Sequence, residues 1–308
     1  MRRAALLPLL CGLACAAAAL SGCWNGRVLY ALEPPFVATL GDETTLRLSL
    51  DSTALRHGYA PSFSVDVGQD PAGLLAREAR RGYAAVVVGP LLSFQWQQFV
   101  LAAPRTRFIL VDVPPPPAGA PTNTVFLTFD RTAAFQEAGR LAARSVRAAA
   151  EAGAAGFDLA ARIGVLAADG SGLLPAEAEA FESGAAGLLD GARPANRTLP
   201  ALPDAEAVRA AVTQMRADGV QVFLLGLGER DAVGLEALRD AGASAVVSDW
   251  QKSAPLPAQV LATVEEDVEG GISLALSIAP PSGAGSRVVQ GPVRLVEGPA
   301  GLQKGRKI

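Results

Sequence analysis

Beyond residue 23 the chain has no cysteine: Cys11, Cys15 and Cys23 all fall in the opening segment. No disulfide scaffold and no thiolate metal site can therefore form in the remainder. His57 is the only histidine, which nearly excludes imidazole-built zinc sites and Ser-His-Asp or Cys-His catalysis. An enzyme on this chain would have to work with carboxylates, arginine, tyrosine or a bound cofactor. A basic excess is missing too: 27 Lys and Arg against 30 Asp and Glu give a net charge of -3. That leaves no broad basic face for nucleic acid. Lysine occurs only at Lys252, Lys304 and Lys307, and aromatic residues make up 6%. After the first 20 residues no apolar run is long enough to span a bilayer, which takes about 20 residues. What is present is ample for a core. Of 308 residues, 50% are hydrophobic, far above what disorder allows and enough for one two-lobed protein or two domains.

The opening segment reads as an address. Arg2 and Arg3 form a positive start, Ala4 to Leu20 is almost wholly apolar, and Leu20-Ser21-Gly22-Cys23 closes it. This is the layout of a secretory signal. Its last four residues resemble the bacterial lipobox, which implies cleavage after residue 22, lipidation of the Cys23 thiol and anchoring to a membrane. An ordinary signal peptide or an N-terminal membrane anchor is the plainer alternative. Nicotinamide and nucleotide cofactors are scarce outside the cytoplasm, so that location favours binding, transport or cell-wall roles. No cofactor and no metal are expected.

Past that segment, short β-rich runs alternate with amphipathic Ala/Arg/Glu stretches. Residues 27–32, 62–67, 84–88, 107–113 and 124–129 read as strands, then 162–167, 197–202, 220–225 and 243–247. Ala84–Val88 and Val220–Leu225 are continuously apolar, as strands buried on both faces of a parallel sheet are. Asp70-Pro71, Asp130 and Asp204 stand where helix N-caps belong. A late helix is expected over Pro257 to Glu269, and a β-rich tail from Ile272 onward. The fold class is α/β, with two Rossmann-like lobes of parallel strands flanked by helices. The expected division is a signal peptide over 1–22, lobes over 23–130 and 131–270, and a tail over 271–308 that returns to the lobes.

In open parallel sheets, ligands bind beyond the carboxyl ends of the strands. The residues expected there are Phe36, Phe94, Trp96, Asp112, Asp169, Gly228, Asp249 and Trp250. Rings supply faces for a planar or sugar moiety, and carboxylates accept hydrogen bonds from hydroxyls or amines. Each has a structural alternative, a helix cap for the Asp residues and lobe packing for the rings. Gly170, Gly172, Gly226 and Gly228 fit tight turns better than a phosphate loop, since neither stretch completes a nucleotide-binding fingerprint. Glu265-Glu266-Asp267 reads as a solvated helical face, and His57 as a surface or capping residue at a helix end.

Three stretches carry a family resemblance. They are Phe129-Asp130-Arg131-Thr132-Ala133-Ala134-Phe135-Gln136-Glu137-Ala138-Gly139, then Ile163-Gly164-Val165 through Phe181-Glu182-Ser183-Gly184, and Val246-Val247-Ser248-Asp249-Trp250-Gln251. Together with the lipobox they resemble the type I periplasmic binding proteins, and among these the basic-membrane-protein lipoproteins that include purine nucleoside receptors. The resemblance implies a small polar solute held between two lobes that close around it, with Asp249 as a hydroxyl acceptor and Phe94 or Trp96 as a stacking ring. It also implies an ABC permease as partner, a monomer, and a location on the cell membrane facing the periplasm or exterior. Two features depart from the family. Leu32 runs into Glu33-Pro34-Pro35-Phe36, where the family has Asp and then Phe-Asn, and no lysine stands in the late segment around Val264-Glu265-Glu266. For such a binding protein no covalent chemistry is expected, and the charge balance speaks against a nucleic-acid partner. Ala118–Thr122 and Gly270-Gly271 are the expected hinge points. The alternatives are a tethered sensor or assembly lipoprotein that keeps the fold without the pocket, and an extracytoplasmic enzyme built on carboxylates alone.

Overall fold

A computed structural model describes residues 25–64, 70–117, 119–151, 162–189, 194–248, 255–278 and 285–304. The opening segment, with Cys23, lies outside the described residues, as do Asp249 and Trp250. The chain divides into two compact units. One comprises residues 1–128 and 268–291, the other 129–267 and 292–308, so the backbone passes between them three times.

The first unit contains β1 (Arg27–Ala31), α1 (Pro34–Leu40), α2 (Glu43–Arg56), β2 (Ala60–Ser64), α3 (Pro71–Ala79), β3 (Ala85–Val88), a 3-10 turn (Leu92–Gln95), α4 (Trp96–Ala102), β4 (Arg107–Val111) and β5 (Thr124–Phe129). Its sheet runs β11-β5-β4-β3-β1-β2, with β11 supplied later by Arg287–Gly291. The pairs from β2 through β5 are parallel, with Tyr30 opposite Val87, Val87 opposite Ile109 and Ile109 opposite Val125. Side chains alternate between the two faces of a strand. Leu29, Ala31, Val86, Val88, Phe108 and Leu110 therefore fall on one face, against Leu75, Phe99 and Val100 of α3 and α4. Tyr30 points to the other face, where its hydroxyl donates to the Leu50 carbonyl of α2 at 2.9 Å.

The second unit repeats the plan with α5 (Thr132–Glu151), β6 (Ile163–Ala168), α6 (Pro175–Ala186), β7 (Ala195–Leu199), α7 (Ala205–Ala217), β8 (Val222–Gly226), a 3-10 turn (Gly228–Arg230), α8 (Asp231–Asp240), β9 (Ser244–Ser248) and β10 (Val260–Glu266). Its order is β12-β10-β9-β8-β6-β7, parallel except for β12 (Val293–Glu297), which is antiparallel to β10. Alternation again splits the core. Phe223, Leu225 and Val247 pack under α7 and α8, whereas Val222, Leu224 and Val246 pack under α5 and α6. α9 (Val268–Ser277) belongs to the first unit, and α10 (Pro299–Lys304) ends the described chain.

The expected caps are in place. Asp70 Oδ1 accepts from Gly73 N–H at 2.9 Å, Asp130 Oδ1 from Thr132 N–H at 3.0 Å, and Asp204 Oδ1 from Ala207 N–H at 2.7 Å. Two glycines of the resembling stretches have a packing role. A Cβ on Gly139 would run into the Phe181 carbonyl, and one on Gly184 into the Gln136 carbonyl, so α5 and α6 approach at backbone distance.

The late helix expected over Pro257 to Glu269 is corrected. Val260–Glu266 is strand β10, and the helix begins only at Val268. Val260, Leu261, Ala262, Thr263 and Val264 are all buried. A run buried on both sheet faces carries no period that separates strand from helix. Glu265 and Glu266 thus end a strand. The tail from Ile272 onward is partly helical, because α9 continues to Ser277, and Gly270-Gly271 lie within that helix.

Candidate functional site

Leaving aside β11 and β12, each sheet has the order 2-1-3-4-5 in its own numbering. In that order the chain turns to one side after its first strand and to the other after its third, which opens a crevice between the two at their carboxyl ends. The crevice lies after β1 and β3 in the first unit, and after β6 and β8 in the second.

In the first unit, β1 runs out into Glu33, which is 4% exposed. Its Oε1 accepts the Leu91 N–H at 2.5 Å, while Oε2 is buried without a hydrogen-bond partner. Burial pushes the Glu33 carboxyl above its ordinary value, against the backbone donors of Leu91 and Leu92. Gly89 is required beside it, since a Cβ there would collide with the same carboxylate. Phe36 follows half-buried on α1, and Phe94, 89% exposed, stands on the turn after β3. Asp112, exposed after β4, has φ 53°, a left-handed backbone uncommon outside glycine. Its N–H donates to Leu127 O at 2.7 Å. Trp96, expected as a stacking alternative to Phe94, is 8% exposed and packs edge-on against Phe126 at 5.6 Å. The ring is spent on the core, and Phe94 is the exposed member of the pair.

In the second unit, Asp169 is exposed at the end of β6, its N–H donating to Leu199 O at 3.0 Å. Gly170 and Gly172 have φ of +71° and +88° and Gly228 has +60°, so these are tight turns that only glycine enters at low cost. The turns after β6 and β8 touch: a Cβ on Gly228 would stand 3.3 Å from Ser171 O. Ser171 Oγ is buried without a hydrogen-bond partner.

Two groups here were not singled out from the sequence. Arg131, at the entry to α5, donates through Nε and Nη2 to both oxygens of Glu177 at 2.7 and 3.0 Å. It also lies 3.8 Å from Glu266 and donates to Gly172 O at 3.2 Å. This bidentate clamp fastens the glycine turn to α6, and it takes Glu266 off the solvated face expected for it. Nothing in the spacing of Arg131 and Glu177 announces the pair. Asp231, at the start of α8, accepts Leu227 N–H at 2.8 Å, and burial pushes its carboxyl up to about 6. The only sequence signal was its place after a glycine turn, which reads equally as a helix start.

The carboxyl edge of the first sheet thus carries Phe36, Phe94 and Asp112, and that of the second carries Asp169 and Gly228. Exposed acceptors and a ring suit hydrogen bonding to hydroxyls and stacking on a planar group. Among the described residues, no group of three or more His, Cys, Asp or Glu could hold a metal ion. No described helix is long and apolar enough to cross a membrane.

No protein-family model matches the chain, and no curated protein is similar to it in sequence. Solved structures are similar in fold. An ABC transporter solute-binding protein from Aeropyrum pernix K1 is 18% identical, covers 88% of this chain and 76% of its own, and superposes with a TM-score of 0.58. A periplasmic ribose ABC transporter protein from Conexibacter woesei is 14% identical over 91% of this chain and 95% of its own, with a TM-score of 0.61. A transcriptional activator of the comK gene from Bacillus halodurans is 16% identical over 88% and 90%, also with a TM-score of 0.61. Two parallel sheets flanked by helices, in this order, are the type I periplasmic binding protein fold. That fold serves transport and transcription alike, so it does not by itself decide between them.

Proposed function

We propose that the chain is a lipid-anchored solute-binding protein of an ABC-type importer, tethered through Cys23 outside the cytoplasmic membrane and acting as a monomer. The observation that carries this reading is the coincidence of fold and polarity. Over 88–91% of its length the chain is similar to solute-binding proteins, and the residues at its strand carboxyl edges are exposed hydroxyl acceptors and a ring. The solute is a small polar molecule bearing a ring, nucleoside- or sugar-like, bound between the two units as they close. Asp112, Asp169 and Asp249 accept its hydroxyls, and Phe94, Phe36 or Trp250 stacks on it. The kinship with the basic-membrane-protein lipoproteins is supported by sequence alone. The three backbone passages at 128/129, 267/268 and 291/292 are where a hinge would act. They differ from the expected 118–122 and 270–271 segments, both of which fall inside the first unit, with Gly270-Gly271 in a helix.

Thermal unfolding of the full chain against neutral ribonucleosides, pentoses and hexoses tests this, with solution scattering on each hit. A solute at 100 times its Kd stabilises by about 2.7 kcal/mol, and closure reduces the radius of gyration. A panel that moves neither quantity removes solute binding. One observation favours the second reading, a tethered sensor without a pocket: Glu33, at the crevice of the first sheet, is turned into the fold and occupied by Leu91 N–H. A flat panel together with a protein partner recovered by crosslinking would favour that sensor.

A further inference from the structure

One cavity of the first unit lies away from its carboxyl edge. It has a volume of about 840 Å³ and opens at the opposite, amino-terminal edge of the sheet. Asn25 stands two residues before β1, Arg107 is the first residue of β4, Arg56 and His57 end α2, and Arg105 lies in the loop before β4. Three arginines line it, and no carboxylate does. Among the described residues none of the three makes an ion pair.

The arginines are spent differently. Arg107 is 6% exposed and reaches only neutral oxygens: Ile278 O at 2.5 Å, Tyr59 Oη at 3.2 Å and Leu276 O at 3.4 Å. Those carbonyls end α9, so Arg107 fixes the wall while its charge stays unneutralised, a costly state for a buried cation. Arg56 donates once, to Thr53 Oγ1 at 2.9 Å, and is otherwise exposed. Arg105 is exposed. His57 Nε2 lies 2.9 Å from Ser273 Oγ, and Asn25 Nδ2 donates to His57 O at 2.8 Å. Burial first, then the charges of Arg56 and Arg107, hold the His57 imidazole below its ordinary 6.5.

The corresponding edge of the second unit shows what a cavity of this place needs for structure alone. Its pocket is about 250 Å³ and contains one arginine, Arg216, whose Nε and Nη1 donate to Ala241 O at 3.1 Å and Val220 O at 2.6 Å. One capping arginine lines that pocket, and a second, Arg162, is buried just before β6 at the same edge. Arg56 and Arg105 are surplus to that role in the first unit.

We infer that this cavity is a binding site for the phosphate group of an organic phosphate. Guanidinium forks match phosphate oxygens in pairs, and the volume leaves room for the group the phosphate carries. The same chemistry is available from a free phosphate ester or from a phospholipid headgroup. Chain length bears on the source. Only Trp24 lies between Cys23 and Asn25, and those two steps of chain span at most about 7 Å, so a lipid on Cys23 would hold the cavity at the headgroup layer. The headgroup arm rests on the proposed anchoring, whereas the phosphate site does not.

The test uses the full chain in non-ionic detergent. Isothermal titration with glycerol 3-phosphate, inorganic phosphate and dihexanoyl phosphatidylglycerol reads affinity, and glycerol is the uncharged control. Arg56→Ala and Arg105→Ala remove exposed side chains, so folding is not at issue, and Arg140→Ala in the second unit is the charge control. At least one organic phosphate should bind, with affinity falling about tenfold or more in the Arg56→Ala/Arg105→Ala double variant and unchanged in Arg140→Ala. Binding of glycerol 3-phosphate alone assigns a free ester, and binding of the short-chain lipid assigns the headgroup. No binding by any organic phosphate, or equal affinity in the double variant, overturns the site. The double variant should leave any shift with neutral nucleosides or sugars intact, so failure of one reading does not carry the other with it.

Discussion

Asp231→Asn isolates one buried charge. Asp231 accepts a single backbone hydrogen bond from Leu227, and burial raises its carboxyl from 3.8 to about 6. The native state then holds that proton more tightly than the unfolded chain. The stability it contributes is fully present below about pH 3.8 and is lost as pH rises through about 6. Two pK units are worth about 3 kcal/mol in full, of which about 2 kcal/mol falls between pH 4 and pH 7. The positive amino end of α8 favours the ionised form, so this is an upper value. Asparagine keeps an oxygen for Leu227 and never ionises. The variant should therefore gain on the parent by up to about 2 kcal/mol between pH 4 and pH 7, or roughly 4–8 °C in Tm. Urea unfolding followed by circular dichroism at both pH values gives this as a difference of differences, in which every other titrating group cancels. A gain of the same size at pH 4 and pH 7 would refute the argument and return Asp231 to an ordinary, hydrated carboxyl.

Other perturbations read other parts of the same framework. Gly184→Ala puts a methyl group against the Gln136 carbonyl of α5, and the two helices must separate, at about 1–3 kcal/mol in urea unfolding. Arg131→Ala leaves Glu177, whose side chain is 5% exposed, as a buried carboxylate without its clamp. The loss should approach about 3–5 kcal/mol, and Arg131→Lys should restore only part of it because one ammonium cannot span both oxygens. Phe94→Ala should leave stability within about 0.5 kcal/mol, since the ring is 89% exposed. On the proposed function the same change weakens the solute about tenfold by titration, and unaltered affinity would take Phe94 out of the site.

The strands were legible where burial on both faces imposes an uninterrupted apolar run, as at Ala85–Val88 and Val222–Leu225. The same property hid β10. Val260–Val264 is nearly as continuous, broken only by Thr263, and the charged Glu265-Glu266-Asp267 beyond it mimics the polar face of a helix. Caps were legible because an Asp before a helix acts within three residues. The clamp of Arg131 on Glu177 acts across 46 residues and had no local signal. Strand order was likewise out of reach. Alternation implies parallel sheets, but connections of similar length serve any order, and it is the pairing of first with third strand that places Glu33 beside Gly89, and Ser171 beside Gly228.

That connectivity also explains why charge divides between the two edges of each sheet. In a β-α-β unit every helix starts at the carboxyl edge and ends at the amino edge. Helix starts favour carboxylates and helix ends favour cations. Asp70, Asp130, Asp204 and Asp231 accordingly collect at carboxyl edges, and Arg56, Arg81, Arg216 and Arg239 at amino edges. Polarity of this kind is generic and identifies no ligand. Neutralisation is what separates cases: Arg81 pairs with Glu78 at 2.9 Å, Arg239 with Asp240 at 3.2 Å, and Arg216 is absorbed by carbonyls. Arg56, Arg105 and Arg107 line one cavity with no acid to answer them. Arg107 is absorbed by neutral oxygens, so the exposed Arg56 and Arg105 are left to face an anion that the fold does not itself supply.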